Sequence, residues 1–412
     1  MNKKLINFPS AFLENYQNII GKEKIKEIRE AARSLKGKHI VHLSSTYQGG
    51  GVAEMLNTLV LLLNDLDITC GWRLLKGSKL FFNITKSFHN ALQGSEIDLT
   101  EETKRIYENT TKYNSIFTHL GHHDLIVVHD PQPLSIIKNL KENQKWIWRC
   151  HIDITEPNQN LWQYLKQYIN QYDEMIISDE KYIKDDITIP QTIIHPSIDP
   201  LSDKNKDLTE EEAKKIISDL NISLDKPIIL QVSRYDIWKD PEGVLEVFKK
   251  VKKEIDCQLV FVGNIADDDP EAVEIYQKII EKAKNVKDTH FLVNIENNDI
   301  SINALQKMAD LVLQKSIKEG FALTISESFW KETPVIASNV GGIPLQVVND
   351  KNGFLIDNPM DYDSFAEKII YLLNNKEKRE EMGKFAKEYV KENFLVTKHL
   401  LDYINLFKKH LT

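Results

Sequence analysis

Short apolar runs recur along the chain, each closed by a polar turn and followed by residues at helical spacing. In the first half the runs lie at 38–45, 125–129, 146–151 and 174–178, and the pattern predicts a strand for each. A charged helical stretch, 11–36, precedes them, with Ile20, Ile25, Ile28 and Leu35 at roughly helical intervals. The first set closes near Pro196-Ser197-Ile198-Asp199-Pro200, and 201–226 reads as a charged linker carrying one helix. The alternation then restarts. Strands are predicted at 227–233, 257–262, 286–293, 309–314 and 335–338, helices at 243–253 and 323–331, and a helical pattern from 363 to 412. Strands alternating with helices imply parallel sheets covered on both faces, here in two tandem α/β halves.

Ligands of such sheets gather at the carboxyl ends of the strands, so the residues there are the candidates for chemistry. After the first strand come Gly49-Gly50-Gly51 and a helix over 52–63. A glycine loop opening a helix lets backbone approach a phosphate, although a plain tight turn has the same composition. Two further strand ends carry His129-Asp130-Pro131-Gln132-Pro133 and Arg149-Cys150-His151-Ile152-Asp153, which read either as site residues or as structural caps. In the second half Arg234 lies just past a strand end, with Lys239 five residues on. Arginine grips phosphate oxygens bidentately and lysine acts as a point charge, so the pair suits a diphosphate; a surface salt bridge is the alternative. The strand at 309–314 leads into Ser316-Ile317-Lys318-Glu319-Gly320-Phe321, and Glu327 follows on the next helix. Ionised carboxylates accept hydrogen bonds from sugar or ribose hydroxyls, while a helix N-terminus attracts an anion. An anion flanked by polyols describes a nucleotide sugar.

Composition narrows the field only modestly. A chain of 412 residues with 42% hydrophobic and 28% charged content fits two or three soluble domains. A net charge of −8, with basic residues interspersed among acids, argues against a nucleic-acid binder. Cys70, Cys150 and Cys257 lie far apart without metal-ligand spacing, so reduced thiols and no metal site are expected. The N-terminal residues lack a signal-peptide core, and the longest aliphatic run is too short to span a bilayer, which points to a cytoplasmic protein without a membrane partner.

Taken together, these motifs resemble the retaining glycosyltransferases of the GT-B fold. They are Gly49-Gly50-Gly51, Arg234 with Lys239, Glu319-Gly320-Phe321 with Glu327, and Val340-Gly341-Gly342. A narrower resemblance, to the trehalose glycosyltransferring synthases, rests on Gly51-Val52-Ala53-Glu54, on 84–94, on His129-Asp130-Pro131-Gln132-Pro133, on 146–153 and on 196–200. Trehalose phosphorylases look similar in several of these stretches. The resemblance implies two Rossmann-like doubly wound domains facing across a cleft. Residues 1–199 would form the acceptor domain, joined by a C-terminal helix at 391–412 that crosses back, and 200–390 the donor domain. It further implies that Arg234 and Lys239 hold the donor diphosphate, Glu327 the ribose and Glu319 the transferred sugar's hydroxyls. Gly50 and Gly51 would admit the phosphate, Gly320 and Phe321 would complete the donor site, and His151 would contact the sugar near its reacting centre. Asp130, Gln132 and Asp153 are the acceptor-side candidates. Two departures stand out: Asp240 where the family usually has glycine, adding negative charge near the diphosphate, and Ala322 where glycine is also usual, a residue that fits a helix start.

The implied reaction moves glucose from a nucleoside diphosphate glucose to glucose, giving trehalose with retention, in a direction that can reverse. Fixed cations would stabilise the leaving diphosphate, whose oxygen takes the acceptor's proton. A trehalose phosphorylase, or a related retaining transferase with another acceptor, is the alternative. No obligatory cofactor is implied, with Mg2+ able to assist the nucleotide sugar. Partners are the nucleoside diphosphate glucose and glucose or trehalose, with a homodimer as the assembly allowed for. A glycosidase using Glu319 and Glu327 as its acid pair is disfavoured if helical rise holds them about 12 Å apart. A non-catalytic nucleotide-sugar-binding module is a further rival.

Overall fold

The computed structural model describes residues 9–47, 50–140, 143–265 and 270–412. These divide into two units, Met1–Asp199 with Val396–Thr412, and Pro200–Leu395.

The first unit holds six parallel strands: β1 (His39–Ser44), β2 (Thr69–Leu74), β3 (Leu125–His129), β4 (Lys145–Arg149), β5 (Glu174–Ile177) and β6 (Gln191–Ile193). Their order across the sheet is β2-β1-β3-β4-β5-β6. The second unit repeats the plan with β7 (Ile228–Val232), β8 (Gln258–Gly263), β9 (Thr289–Val293), β10 (Leu311–Gln314), β11 (Val335–Ser338) and β12 (Gly353–Ile356), ordered β12-β11-β10-β7-β8-β9. Central strands are buried along their length, which is why they read as unbroken apolar runs. In each unit the strand order reverses once, between β1 and β3 and between β7 and β10. Chains leaving adjacent strands at such a point diverge to opposite faces, and the crevice left at the carboxyl ends is where these folds bind ligands. Both units are therefore Rossmann-like, as the sequence pattern predicts.

Two expectations need correction, and a third is refined. The strand predicted over 146–151 ends at Arg149, so Cys150 and His151 lie in the turn beyond it. The segment 201–226 is not a loose linker. Its helix Glu210–Asp219, started by a Thr209/Glu212 capping box, packs on the helix Asn298–Met308 inside the second unit. The helical tract from 363 is three helices, Tyr362–Asn374, Lys376–Asn393 and Val396–Leu411, and the last belongs to the first unit.

That last helix is pinned to β5 by a single carboxylate. Glu174, fully buried, accepts hydrogen bonds from Lys409 Nζ at 2.7 and 2.9 Å, from His410 Nε2 at 2.6 Å and from the Thr192 hydroxyl. Burial alone would raise the Glu174 pKa, but these bonds outweigh it and hold the group at about 2, against an ordinary 4.5. A depressed carboxylate stabilises the fold above its unfolded pKa and loses that stabilisation as pH falls toward the folded value. Glu174→Gln should therefore cost about 2 kcal/mol near neutral pH. Thermal melts of the two proteins should converge between pH 4.5 and pH 2; a constant gap across that window would contradict the assignment.

Candidate active site

In the second unit the switch point places two loops side by side. The chain leaving β7 makes a short turn, Ile237–Lys239, that is started by the Asp236 carboxylate accepting from Trp238 N at 2.8 Å. The chain leaving β10 crosses it, and Ile317 N donates to Trp238 O at 2.8 Å. The buried Gln231 of β7 fixes the same turn by donating to Lys239 O at 3.0 Å. These bonds bring Lys239 and Glu319 together as an ion pair, although they are 80 residues apart. Glu319 also accepts from Gln314 Nε2 at 3.1 Å and Ser316 Oγ at 3.2 Å, and its side chain is only 10% exposed. One oxygen of Glu319, Oε2, thus gathers all three of these donors, which orients the carboxylate for polyol recognition.

Gly342 is tied to the same loop by its amide, which donates to Glu319 O at 3.2 Å. A Cβ there would collide with Gly320 O, so this close approach requires glycine. The Phe321 side chain is buried edge-on against Phe394, 5.4 Å between centroids, and works in packing. Arg234 stands apart from the Lys239–Glu319 pair in character, with a side chain 63% exposed and one contact to Asp236 at 3.2 Å. Glu327 has yet another environment. It is buried on the helix Leu323–Trp330, accepts from Gln306 Nε2 at 3.1 Å, and lies 3.8 Å from Lys204 Nζ. Glu319 is four residues outside that helix, so helical rise does not set the separation of the two carboxylates. What distinguishes them is chemistry: one is paired to Lys239, the other to Gln306 and Lys204.

The two departures from the resembling family acquire physical meaning here. Asp240 sits at left-handed φ 44° and caps the helix Pro241–Val251, accepting from Gly243 N at 2.9 Å. Its other oxygen pairs with Lys315, whose side chain is wholly buried against the Tyr362 ring, 4.6 Å from its centroid. The Asp240 charge is therefore matched by a buried ammonium. Ala322 does not fit a helix start as its helix propensity suggests; it is the residue before the helix, at φ 72°, where a Cβ is strained. Ala322→Gly should raise stability by about 1 kcal/mol, read as a shift in denaturant midpoint at unchanged slope; a loss of stability would remove the strain argument.

In the first unit Gly50, at φ 86°, leads into the helix Gly51–Asp65, whose first turn has no side-chain cap; Gly49 lies outside the described residues. Across the β1/β3 switch point runs a line of imidazoles. His42 Nδ1 is 2.9 Å from His129 Nε2, and His129 Nδ1 is 3.0 Å from His151 Nε2. Burial lowers the pKa of all three, that of His42 to about 3, and the buried Arg149 guanidinium lowers His129 and His151 further. All three are neutral at physiological pH.

Asp130, at left-handed φ 63°, accepts from the His151 amide at 2.9 Å, so it positions His151. Its own pKa is raised to about 6 by burial. Gln132 is partly buried, and its Oε1 has no hydrogen-bond partner among the described residues. Asp153 closes its own turn by accepting from Thr155 N at 2.9 Å and Thr155 Oγ1 at 2.6 Å, the structural alternative for that residue. Among the described residues no group of three His, Cys, Asp or Glu side chains could hold a metal ion, and the three imidazoles bond in a line rather than converge.

Sequence reasoning missed His42, Lys204 and Lys315; His129 stood in a strand-end cluster, but its partner in β1 did not. Their contact could be found only by pairing β1 with β3. A lysine directly after an apolar strand, as Lys315 is, carries a weak signal that some acid must meet it.

Residues 42–184 match the family model described as trehalose synthase, N-terminal domain, and 212–389 match glycosyl transferases group 1. A solved structure of a UDP-forming α,α-trehalose-phosphate synthase from Burkholderia xenovorans superposes with a TM-score of 0.72 at 14% identity, covering 91% of this chain and 98% of that one. Fold and matched domains define a glycosyltransferase of the GT-B class. A trehalose synthase of Thermococcus litoralis is 44% identical over 398 residues, 96% of each chain, and the present chain belongs to that trehalose synthase family. A trehalose phosphorylase of Pleurotus pulmonarius is more distant, 28% identical over 92% of this chain and 58% of its own length. Among the described residues no helix is long and apolar enough to cross a membrane.

Proposed function

We propose that the protein transfers glucose from a nucleoside diphosphate glucose to glucose, forming trehalose with retention of the α-configuration. The observation that carries this reading is the Lys239–Glu319 pair at the β7/β10 switch point, a cation and an oriented polyol acceptor in one place. A diphosphate arriving at Lys239 competes with Glu319 for the ammonium, and the released carboxylate oxygen takes hydroxyls of the attached sugar. Arg234, exposed and loosely held, has the freedom to turn onto the same phosphates. Glu327, with Lys204 beside it, serves the ribose. Breaking the sugar–phosphate bond places negative charge on the departing diphosphate, and fixed cations there lower the barrier. The departing oxygen accepts the acceptor's proton, so neither glutamate forms a covalent bond to sugar; Mg2+ can assist by screening the diphosphate. Three buried free thiols suit a reducing cytoplasmic setting.

Support for a nucleotide donor comes from the UDP-forming neighbour and from the synthase relatives. The test is incubation of the protein with each nucleoside diphosphate glucose plus glucose, with product identification by NMR. Trehalose and free nucleoside diphosphate are expected. Cleavage of trehalose by inorganic phosphate alone would favour the phosphorylase reading, and hydrolysis of trehalose without nucleotide would contradict both.

A further inference from the structure

Ahead of the helix Glu210–Asp219 the chain makes a turn in which the amides of Asn205 and Lys206 donate to Ser202 O at 2.9 and 2.7 Å. Side chains of two other helices hold this turn. Asn303 Nδ2, on the helix Asn298–Met308, donates to Asp203 O at 3.0 Å and to Lys206 O at 2.8 Å. At the end of the helix Leu323–Trp330, Trp330 Nε1 donates to Asn205 O at 3.1 Å, and Lys331 Nζ donates to Asn205 Oδ1 at 2.8 Å. A surface turn needs no such anchoring, because water satisfies its backbone. What the anchoring fixes is Lys204.

The Lys204 side chain is only 13% exposed, and its Nζ lies 3.8 Å from Glu327 Oε1 and 3.9 Å from Asp299 Oδ1. Asp299 is in the first turn of the helix after β9, and Glu327 is in the second turn of the helix after β10. The lysine is thus held at the carboxyl ends of the strands, where ligands of this fold gather. The two oxygens of Glu327 differ. Oε2 accepts from Gln306 Nε2 at 3.1 Å, whereas Lys204 stands off Oε1 by more than a hydrogen-bond distance. A hydroxyl oxygen about 2.8 Å from both Nζ and Oε1 closes a triangle on that gap. It would accept from the ammonium and donate to the carboxylate, which uses both capacities of a hydroxyl. The Asp299 side chain is 61% exposed, so the contact borders solvent on that side.

We propose that Lys204 is a nucleotide-binding residue that grips one ribose hydroxyl jointly with Glu327, and that this grip selects ribonucleoside over deoxyribonucleoside diphosphates. The inference rests on the nucleotide-sugar reading above, which gives Glu327 the ribose, and adds the partner that makes the contact selective. A carboxylate alone asks only for a donor. Paired with a fixed ammonium it asks for a group that donates and accepts at one atom, and a nucleotide lacking that hydroxyl leaves both charges unbridged.

Calorimetry tests this with UDP, ADP or GDP, whichever binds most tightly, and with the matching 2′-deoxy and 3′-deoxy nucleotides. To the parent protein one of the two deoxy analogues should bind about 30-fold more weakly than the ribonucleotide. In Lys204→Met that penalty should fall to about fivefold, because only the carboxylate still meets the hydroxyl. Lys204→Gln keeps an N–H donor on a shorter stem and should give a penalty between the two; it also covers the case in which a melting curve shows the Met variant unfolded. A merely structural lysine would weaken all three nucleotides alike and leave the ratios unchanged, which would overturn the proposal. So would a parent protein that binds both deoxy analogues as well as the ribonucleotide. A parent that binds none of the nucleoside diphosphates would contradict the nucleotide-sugar reading and this inference with it, whereas unchanged ratios in a protein that makes trehalose would remove the role of Lys204 alone.

Discussion

Asp240→Asn is expected to destabilise the protein by about 3–5 kcal/mol. The reason is Lys315. Its ammonium is wholly buried and paired with Asp240, and burial already lowers its pKa against the opposing pull of that carboxylate. Removing the negative charge leaves an ammonium in an apolar pocket between Tyr362 and Phe365, where it must either stay charged at high cost or give up its proton. Lys315→Met in the same protein removes the stranded charge, so the double variant should regain most of the loss. Chemical denaturation of the two single variants and the double variant provides the cycle. Additive losses would show that the pair is not coupled.

The second large effect is on catalysis. On the proposed reaction, Lys239→Ala should lower kcat by about 10²–10³-fold, because the charge it meets develops fully only as the diphosphate departs. The same variant also strands Glu319, so Glu319→Gln provides the complementary test; it keeps the hydrogen-bonding shape but removes the charge that orients the lysine. Arg234→Ala should cost less than Lys239→Ala, since Arg234 is exposed and not locked between the two loops. Kinetics of trehalose formation with a melting curve for each variant separates lost chemistry from lost folding. A Lys239→Ala enzyme with undiminished kcat would remove the cation from the mechanism.

Much of the framework was legible in the chain because buried parallel strands are continuous apolar runs, and β1, β3, β7, β8, β10 and β11 all have that character. The strands that escaped reading are short or mixed edge strands: β2 carries Gly71 and Arg73, β6 is three half-buried residues, and β12 is four residues opening on Gly353. Site residues adjacent in sequence to strand ends, such as Lys239 and Glu319, were accessible for the same reason. Partners that meet across strands were not. Nothing local links His42 to His129, or Asp240 to Lys315. The local bonds of Asp130 and Asp153 were likewise hidden, because a carboxylate that accepts from a nearby backbone amide has the same sequence appearance as one that faces a ligand. Ala322 shows the reverse limit, since its helix propensity concealed a left-handed backbone.

The central claim is that one cation–carboxylate pair changes partners when donor binds. A crystal structure with UDP-glucose tests it most directly. The Lys239 ammonium is expected on a diphosphate oxygen, with Glu319 accepting from hydroxyls of the glucose. Lys239 still paired to Glu319, with the diphosphate bound elsewhere, would contradict it.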